Sequence, residues 1–390
     1  MMKMGCTCEQ KIHTAPIETI ELSSGAINKL PEILSAYNHI YIVSDETTYE
    51  VAGKKAEQLL CDAGKKVDTC VLPKGALASA ENVGILTIEV GDCPVPYNIE
   101  EKGTLPEYIL AVGSGSVNDI CRMVAYRTGL DYGVCGTAPS MDGYVSVVAP
   151  LLNRNKKIVY TCTTAKHVII DLDICAKAPE ELLLAGIGDM IGKHIAILDW
   201  QLSNLKTGEY YCEKTAKMVI KAANECIEKA FSIFERNSED IKAIAEGLIT
   251  SGLGIAYTGS SRPASGTEHM IGQTWEVIGL ENKHTPQLHG IEVGQATFVA
   301  IVMYKRLYET TTDMQIKNLI EPYVPAFDRV IELQKKIHIP FTVSECKMFL
   351  DGIYRGRTFR ERYTLLQYLY DLDLLREYAE YSFEETMKLK

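Results

Sequence analysis

Short apolar runs alternate with helical patterns over about the first 175 residues of the chain. The strand candidates are rich in apolar and β-branched side chains, and they are residues 17–22, 39–44, 66–72, 108–112 and 132–135. Residues 48–64 and 117–128 have helical spacing and lie between these runs. Alternation of this kind is typical of βαβ units. The pattern therefore predicts an α/β domain, Rossmann-like, with a mainly parallel sheet.

The pattern changes after the segment Ala176-Lys-Ala-Pro179. Two more strand-like runs precede it, residues 157–162 and 167–172, and they are interpreted as a hairpin that closes the sheet domain. Beyond it the strand signals end and long helical patterns follow, at residues 215–236, 240–256, 290–309, 323–337 and 359–372. The sequence thus predicts a nucleotide-binding α/β domain (1–178) and an all-helical domain (179–390). The cleft between two domains is the expected place for ligands.

Composition limits the classes of function. A chain of 390 residues with 46% apolar residues can bury a substantial core. No apolar run reaches the ~18 residues of a membrane span, and the N-terminus lacks the apolar core of a signal peptide, so we expect no membrane insertion. A net charge of -11 argues against a nucleic acid partner. A small anionic substrate stays possible, because a local basic pocket can form in an acidic protein.

The twelve cysteines form no Cys-x-x-Cys pair. Several lie inside apolar stretches, among them Cys135, Cys162 and Cys226, as expected of free thiols packed as small hydrophobic side chains in a reducing cytoplasm. The pair Cys6 and Cys8 could bind a metal. It lies at the terminus with no partner nearby in the sequence, and it is interpreted as inert.

A glycine-rich segment, Gly113-Ser-Gly-Ser116, follows the apolar run 108–112 and opens a helical pattern. Glycines there let the backbone approach a diphosphate, and the helix N-terminus supplies free N–H groups. The segment departs from Gly-x-Gly-x-x-Gly, because Asn118 stands at the last position. Asp45, at the end of the run 39–44, could bind the ribose hydroxyls and repel a 2′-phosphate. An ordinary turn and a helix N-cap remain the alternatives.

Three glycine-adjacent segments each offer a metal ligand: Asp189 in Gly-Ile-Gly-Asp-Met, His269 in Ser-Gly-Thr-Glu-His, and His289 in Leu-His-Gly-Ile-Glu-Val-Gly. One carboxylate and two imidazoles leave coordination positions open, as catalytic metal sites require. Ser265-Gly-Thr-Glu268 has the pattern of a capping box, which would place His269 in the first turn of a helix with Gln273 on the same face.

The remaining histidines are interpreted as surface or capping residues, with His284 as the nearest competitor of His289; they are His13, His39, His167, His194, His284 and His338. A phosphorylated substrate would also need a cation or helix-end N–H groups. Arg262 and Lys193 are the candidates, and for both a structural or solvated role is the alternative.

Two strings carry a family resemblance: Thr137-Ala-Pro-Ser-Met-Asp-Gly-Tyr-Val-Ser146 and Ser260-Ser-Arg-Pro-Ala-Ser-Gly-Thr-Glu-His269. They resemble the sn-glycerol-1-phosphate dehydrogenase family, part of a wider group with iron-containing alcohol dehydrogenases, glycerol dehydrogenase and 3-dehydroquinate synthase. The resemblance extends from Asp45 to Arg360-Glu-Arg-Tyr-Thr-Leu-Leu366. It implies a dehydroquinate synthase-like fold of two domains, with nucleotide and metal in the cleft between them.

The resemblance also implies an activity: hydride transfer between glycerone phosphate and sn-glycerol 1-phosphate, with NAD(H) or NADP(H) and one divalent metal (zinc, nickel or iron). It makes Asp189, His269 and His289 the metal ligands and adds Asp142 and Gln273 to the catalytic site near the substrate. The implied cofactor contacts are Asp45, Gly115, Ser116, Val117, Asn118, Asp119, Thr137, Ala138, Pro139, Ser140 and Ser146.

Other activities stay open on the sequence alone. A glycerol or other polyol dehydrogenase would need no phosphate pocket. A lyase like 3-dehydroquinate synthase ordinarily has Glu as its first ligand, where this chain has Asp189. A metal-dependent hydrolase would make no use of the nucleotide loop. We expect a phosphorylated triose as the small-molecule partner, a cytoplasmic location and a homo-oligomer.

Overall fold

The computed structural model describes residues 1–91, 105–154, 156–285 and 287–390. The strands are β1 (Met2–Gly5), β2 (Ile12–Ala15), β3 (Thr19–Ser23), β4 (His39–Asp45), β5 (Lys66–Leu72), β6 (Tyr108–Gly113), β7 (Asp131–Gly136), β8 (Val148–Asn153), β9 (Lys156–Thr161) and β10 (His167–Asp171). The α-helices before residue 179 are α1 (Leu30–Ile33), α2 (Glu46–Thr48), α3 (Lys54–Asp62), α4 (Ala80–Gly91), α5 (Gly115–Thr128) and α6 (Leu172–Cys175).

The rest of the chain is helical in the described ranges. Its α-helices are α7 (Glu180–Ile191), α8 (Lys193–Thr207), α9 (Glu213–Ala230), α10 (Ser238–Thr258), α11 (Thr267–Glu281), α12 (His289–Thr310), α13 (Met314–Ile320), α14 (Val324–Ile337), α15 (Cys346–Gly356), α16 (Leu365–Asp371) and α17 (Leu375–Met387). None of these helices, nor any other in the described ranges, combines the length and apolar character needed to cross a membrane.

The main sheet is fully parallel over the residues that the structure describes, with six strands in the order β3-β10-β7-β6-β4-β5. The chain passes from β4 outward to β5 and then returns to β6 on the opposite side of β4. Such a reversal leaves a crevice at the carboxyl ends of the two inner strands, where ligands bind in open α/β sheets. The predicted class, a mainly parallel α/β sheet followed by helices, is confirmed.

The central strands are apolar on both faces. In β4, Ile40 and Ile42 pack into a core on one face of the sheet, and Tyr41 and Val43 pack into the larger core on the other. Every residue of β6 is buried. Strands covered on both faces appear as continuous apolar runs, which is why these two could be predicted from the sequence.

The predicted hairpin of residues 157–162 and 167–172 is wrong. Strand β9 pairs antiparallel with β8 instead, in a separate two-stranded sheet. Strand β10 lies between β3 and β7 in the main sheet and is buried at every position. The sequence pattern missed β8, whose Pro150 is unusual inside a strand.

The helical predictions need corrections in their bounds and in their number. The helix predicted at 215–236 ends at Ala230, and the one predicted at 359–372 begins only at Leu365. Helices α7, α8, α13, α15 and α17 were missed. Most residues of α7 and α8 are buried, so their apolar side chains leave no one-sided periodic stripe in the sequence. The patterns at 240–256, 290–309 and 323–337 correspond to α10, α12 and α14.

Strands β1 and β2 form an antiparallel hairpin at the N-terminus. This hairpin packs against the helical half of the chain rather than against the main sheet: β2 contacts α10, and Lys214 Nζ donates a hydrogen bond to the carbonyl oxygen of Gly5 at 2.6 Å. The first residues of the chain and the helices after residue 179 therefore share one packed region.

Candidate active site

A cavity of about 1490 Å³ lies between the carboxyl ends of the sheet strands and the helical half. Asp45, which ends β4, and Ser114, which follows β6, both line it. These two strands flank the switch point of the sheet. The cavity also reaches His269 and His289, which belong to α11 and α12. One space thus joins the predicted nucleotide loop and the predicted metal ligands.

The glycine-rich loop connects β6 to α5. Ser114 is the N-cap residue of α5, and its hydroxyl oxygen lies 2.6 Å from that of Ser140 in the neighbouring loop. At Gly113, an added Cβ would come within 2.8 Å of the Val117 side chain. At Gly115, it would meet nothing closer than Met141 at 3.6 Å, beside the cavity. The loop therefore presents bare backbone at the start of a helix, an arrangement suited to an anion such as a diphosphate.

Asp45 does two things in the structure. Its side chain accepts a hydrogen bond from the Thr48 backbone N–H at 2.7 Å, so it caps the short helix α2. It also lines the cavity. Lys74, which follows β5 and was not among the predicted site residues, lines the cavity as well. The helix cap and the ribose-binding role are compatible, because a carboxylate has two oxygens and several acceptor positions.

Most of the predicted cofactor residues line the cavity: Asp45, Gly115, Ser116, Val117, Asp119, Thr137, Ala138, Ser140 and Ser146. Asn118 and Pro139 do not. Asn118 is fully buried, with its amide 3.4 Å from the Gly143 carbonyl oxygen. Pro139 packs against α7 so closely that a Cβ on Gly186 would lie 1.9 Å from its carbonyl oxygen. These two residues shape the loops and do not face the cavity.

The three predicted metal ligands converge. One ligand atom from each of Asp189, His269 and His289 lies within 4.8 Å of the others. Burial lowers the pKa of His269 to about 3, helped by the positive charge of Lys193. Burial also lowers the pKa of His289 far below its usual range, with a contribution from His269. Both imidazoles are therefore neutral near pH 7, which is the form that binds a metal. His284 is exposed and outside this group.

Glycines explain how Asp189 and His289 come together. Helix α7 carries Asp189 and α12 begins at His289, and the two helices cross at glycines. An added Cβ on Gly188 would lie 2.1 Å from the carbonyl oxygen of Gly290, and one on Gly290 would lie 1.8 Å from that of Ala185. Only residues without a Cβ allow this approach. The Gly-Asp and His-Gly dipeptides of the sequence are thus the contact between the two helices.

Glu268 supports His269 from behind. His269 Nδ1 lies 2.7 Å from Glu268 Oε1, which leaves Nε2 on the side of Asp189, with 3.8 Å between Nε2 and Asp189 Oδ1. The sequence had placed Glu268 in a capping box starting at Ser265. That prediction is wrong by one residue, since Gly266 is the N-cap of α11 and donates its N–H to Glu268 Oε1 at 2.8 Å. A carboxylate behind a ligating histidine fixes the tautomer and raises ligand basicity.

Replacing Glu268 with glutamine is expected to lower the affinity for a divalent metal by about 10–100-fold, as for other residues that support a ligating histidine. Since burial raises the pKa of Glu268 to about 7, the wild-type affinity should increase as the pH rises through 7 and the carboxylate forms. Titration against a competing chelator at several pH values measures both effects. Glu281→Gln, an exposed position on the same helix, is the control. Equal affinities in all three proteins would contradict the assigned role.

Lys193 is fully buried among carboxylates. Its Nζ lies 2.5 Å from Asp189 Oδ1 and 2.8 Å from Asp142 Oδ2. Burial alone would lower the pKa of Lys193, but the charges of Asp142 and Asp189 raise it above its usual value. The Asp142 carboxylate also accepts a hydrogen bond from the Ser251 hydroxyl at 2.8 Å. Lys193 therefore neutralises these carboxylates, and the prediction that it binds phosphate is wrong.

Arg262, the other predicted phosphate residue, is also committed elsewhere. Its guanidinium forms two hydrogen bonds to the carboxylate of Glu209, at 2.8 and 2.5 Å, and donates another to the carbonyl oxygen of Tyr363. It is 3% exposed and does not line the cavity. The alternative of a structural role is therefore correct for Arg262, which connects the segments that carry Glu209 and Tyr363.

Two arginines that sequence reasoning missed do line the cavity, Arg360 and Arg362. Arg360 donates to the Gln273 side-chain oxygen at 2.8 Å, and Arg362 donates to the Ser261 hydroxyl at 2.6 Å. Burial and the positive charge of Arg360 together lower the pKa of Arg362 to about 10. Among the described residues, no carboxylate lies within ion-pair distance of either guanidinium. Adjacent cations without a counter-ion are suited to binding an anion.

Comparison with known proteins agrees with this geometry. Residues 21–179 match the family model described as iron-containing alcohol dehydrogenase. The chain is similar to the glycerol-1-phosphate dehydrogenase (NAD(P)+) of Halalkalibacterium halodurans, with 35% identity over 77% of this chain and 74% of the relative. It is equally similar to the protein of that name from Bacillus velezensis, with 35% identity over 75% of this chain and 72% of the relative.

The fold is shared with solved structures of much lower identity. An iron-containing alcohol dehydrogenase from Thermococcus thioreducens superposes with a TM-score of 0.70 at 13% sequence identity. The superposition covers 95% of this chain and 98% of that one. The agreement over nearly the whole length shows that the sheet domain and the helical half are arranged as in that protein.

Proposed function

The chain belongs to the glycerol-1-phosphate dehydrogenases, oxidoreductases within the iron-containing alcohol dehydrogenase family, and on this premise we propose which residues carry the reaction. The reaction is the NAD(P)-dependent interconversion of glycerone phosphate and sn-glycerol 1-phosphate. The observation that supports it best is the cavity itself, which places around one space a carboxylate–imidazole–imidazole group and two arginines that form no ion pair with a described carboxylate.

Asp189, His269 and His289 would hold the divalent metal. The donor set fits, because its ligand atoms already converge and both imidazoles are neutral. Zinc, nickel and iron all accept nitrogen and oxygen ligands of this kind. When bound, such an ion acts as a Lewis acid that polarises the carbonyl group of the substrate. Glu268 and the buried Lys193 set the orientation and the charge of the ligands around it.

The loop residues 113–116 and the N-terminus of α5 would bind the diphosphate of the nucleotide, and Asp45 would bind its ribose. The nicotinamide supplies or accepts the hydride when it is bound. The hydroxyl groups of Ser114 and Ser140, linked at 2.6 Å, hold the glycine loop beside the segment 137–140. Together these backbone segments form one wall of the cavity.

Asp142 and Gln273 would orient the substrate. Lys193 and Ser251 hold the Asp142 side chain, and Lys193 keeps its pKa below the usual value although burial alone would raise it. An ionised carboxylate at the cavity wall accepts hydrogen bonds from substrate hydroxyl groups. Gln273, one turn beyond His269 on α11, accepts a hydrogen bond from Arg360 and so connects the metal ligands to the arginine pair.

An assay of NADH oxidation with glycerone phosphate tests the proposal. We expect turnover with glycerone phosphate that disappears after treatment with a chelator and returns when a divalent metal is added. Unphosphorylated dihydroxyacetone in the same assay is the control for the phosphate requirement. A stronger activity on dihydroxyacetone would instead indicate a plain polyol dehydrogenase.

Asp45→Ser is expected to reduce the preference for NADH over NADPH. A carboxylate where the 2′-phosphate would lie disfavours NADPH by roughly 1–3 kcal/mol, or about 5–150-fold in the ratio of kcat/KM values. Serine is also a good N-cap residue, so the cap on Thr48 should persist and the stability of α2 should change little. The ratio is measured with both cofactors at fixed substrate. An unchanged ratio would leave Asp45 with the capping role alone.

The nucleotide-binding unit comprises residues 1–178 and the metal-binding helical unit 179–390, although the hairpin of β1 and β2 packs on the helical side. The protein works in the cytoplasm, which is supported by the cysteines in the described ranges, none of which forms a disulfide bond. It functions as a homo-oligomer, an expectation from the sequence that analytical ultracentrifugation would test.

A further inference from the structure

Outside the active site, the structure brings together a second group of metal-binding side chains. Cys6, Cys8 and His13 come from the N-terminal hairpin and its turn, and Cys212 comes from the N-cap position of α9. Their sulfur atoms and one imidazole nitrogen all lie within 4.8 Å of one another. We propose that this group, the N-terminal cluster, is a structural zinc site with four protein ligands: Cys6, Cys8, His13 and Cys212.

The distances suit a tetrahedral ion. Cys6 Sγ lies 3.6 Å from Cys212 Sγ, and His13 Nε2 lies 3.3 Å from both Cys8 Sγ and Cys212 Sγ. Zinc with bonds of about 2.3 Å to sulfur and about 2.0 Å to nitrogen holds neighbouring ligand atoms roughly 3.4–3.8 Å apart in a tetrahedron. The sulfur–sulfur distance is far longer than the ~2.05 Å of a disulfide bond. The side chains are thus spaced as ligands around an ion.

The orientation of the His13 ring is also the one that a ligand requires. Its Nδ1 lies 2.8 Å from the carbonyl oxygen of Tyr257 in α10. A carbonyl oxygen can only accept a hydrogen bond, so Nδ1 carries a proton and Nε2 is the ring nitrogen that faces Cys8 Sγ and Cys212 Sγ. Ligating histidines are ordinarily fixed by such a bond to a carbonyl or carboxylate oxygen.

The sulfur atoms receive hydrogen bonds that favour thiolates. The Tyr210 hydroxyl lies 3.2 Å from Cys8 Sγ, where it can donate a hydrogen bond to a thiolate, and the Cys8 backbone N–H donates to Cys6 Sγ at 3.4 Å. Thr215 donates to Cys212 Sγ from its hydroxyl at 3.3 Å, at the N-terminus of α9, where the helix dipole also favours negative charge. Thiolate is the form of cysteine that binds metal.

Four protein ligands leave no open position for a substrate, which distinguishes structural from catalytic zinc sites. A hairpin of two four-residue strands is marginally stable on its own, and an ion would attach it to α9.

The ion would also affect a segment near the cavity. His13 Nδ1 is hydrogen-bonded to the carbonyl oxygen of Tyr257, one residue before α10 ends at Thr258. Residues 259–265 follow α10, and several of them line the cavity. The zinc would therefore stabilise the loop that carries Ser261 and Arg262.

Cobalt binding tests the proposal, because a tetrahedral cobalt ion with thiolate ligands absorbs by sulfur-to-metal charge transfer in the near ultraviolet. The experiment uses the full chain with His269→Ala, which removes a ligand of the active-site metal. We expect this variant to bind one cobalt ion and to show the charge-transfer band. Adding Cys8→Ser should abolish the band and the tight binding. Adding Cys346→Ser, an exposed cysteine on α15, should change neither.

A further variant keeps the test decisive should the cysteine variant fail to fold. His13→Cys replaces the imidazole with a fourth thiolate, so it should retain the ion and strengthen the charge-transfer band. The proposal is overturned if the His269→Ala protein binds no cobalt, or if its bound cobalt shows no band. Equal loss of the band in the Cys8→Ser and Cys346→Ser proteins, or a disulfide between Cys6 and Cys212 in the purified protein, would overturn it as well.

Discussion

Replacing His289 with alanine is expected to abolish tight metal binding and to lower kcat/KM for glycerone phosphate by at least about 10³-fold. Without this imidazole, Asp189 and His269 supply two ligands, fewer than the three that catalytic zinc sites ordinarily have. Lewis-acid stabilisation contributes several kcal/mol to such reactions, and each 1.36 kcal/mol corresponds to a factor of about ten in rate. Metal analysis of the dialysed protein and steady-state kinetics with NADH measure the two effects.

His284→Ala is the matched control, because this histidine lies only five residues earlier in the sequence and is exposed. It should keep the metal and nearly full activity. Circular dichroism of both variants should show wild-type helix content, since His289 is at the first turn of α12 and contributes little to its core. Full metal occupancy in His289→Ala would contradict the proposed ligand set.

The fold was predictable where burial gives a strand or helix a plain signature. Strands β4 and β6 are covered on both faces and appear in the sequence as unbroken apolar runs. Helices α10 and α12 are long and were predicted almost to their ends. Helix α8 was missed because most of its residues are buried. Its sequence therefore does not show the alternation of an apolar and a polar face that identifies a surface helix.

The candidate metal ligands could be recognised in the sequence by their residue types. That the three side chains converge at one site could not be predicted from the sequence. The glycines beside Asp189 and His289 were visible in the sequence. That they allow α7 and α12 to touch backbone to backbone depends on the packing of the two helices. Glu268 was noticed for its spacing from Ser265, and that spacing suggested a cap. Glu268 instead contacts the neighbouring His269, because the two side chains point toward each other at the start of α11.

Long-range partners explain why the roles of two sets of residues could not be predicted from the sequence. Cys6 and Cys8 were judged inert because no partner lies near them in the sequence, yet Cys212 meets them across the fold. Arg262 was chosen as a phosphate residue because it precedes a helix N-terminus. Glu209, fifty-three positions earlier in the chain, takes up its guanidinium instead. In both cases the residue type was informative, and the tertiary partner decided the role.

The substrate phosphate is therefore expected to depend on Arg360 and Arg362. Arg360→Ala and Arg362→Ala should each raise the KM for glycerone phosphate by about 10–100-fold, because a hydrogen bond to a charged group contributes roughly 1.5–3 kcal/mol. The KM for unphosphorylated dihydroxyacetone should change by less than about threefold, since that substrate brings no anion to the pair. Inhibition by inorganic phosphate should weaken in parallel with the loss of affinity for the phosphorylated substrate.

Two other arginines serve as controls for this selectivity. Arg357 lies on the same segment but contacts Gln367 and the ring of Tyr370, outside the main cavity, so Arg357→Ala should leave both KM values unchanged. Arg262→Ala breaks the ion pair between the buried Arg262 and the half-buried Glu209 and should lower stability and activity on both substrates alike. If Arg360→Ala and Arg362→Ala also affected both substrates equally, the pair would only hold its loop, and the phosphate would have to bind elsewhere in the cavity.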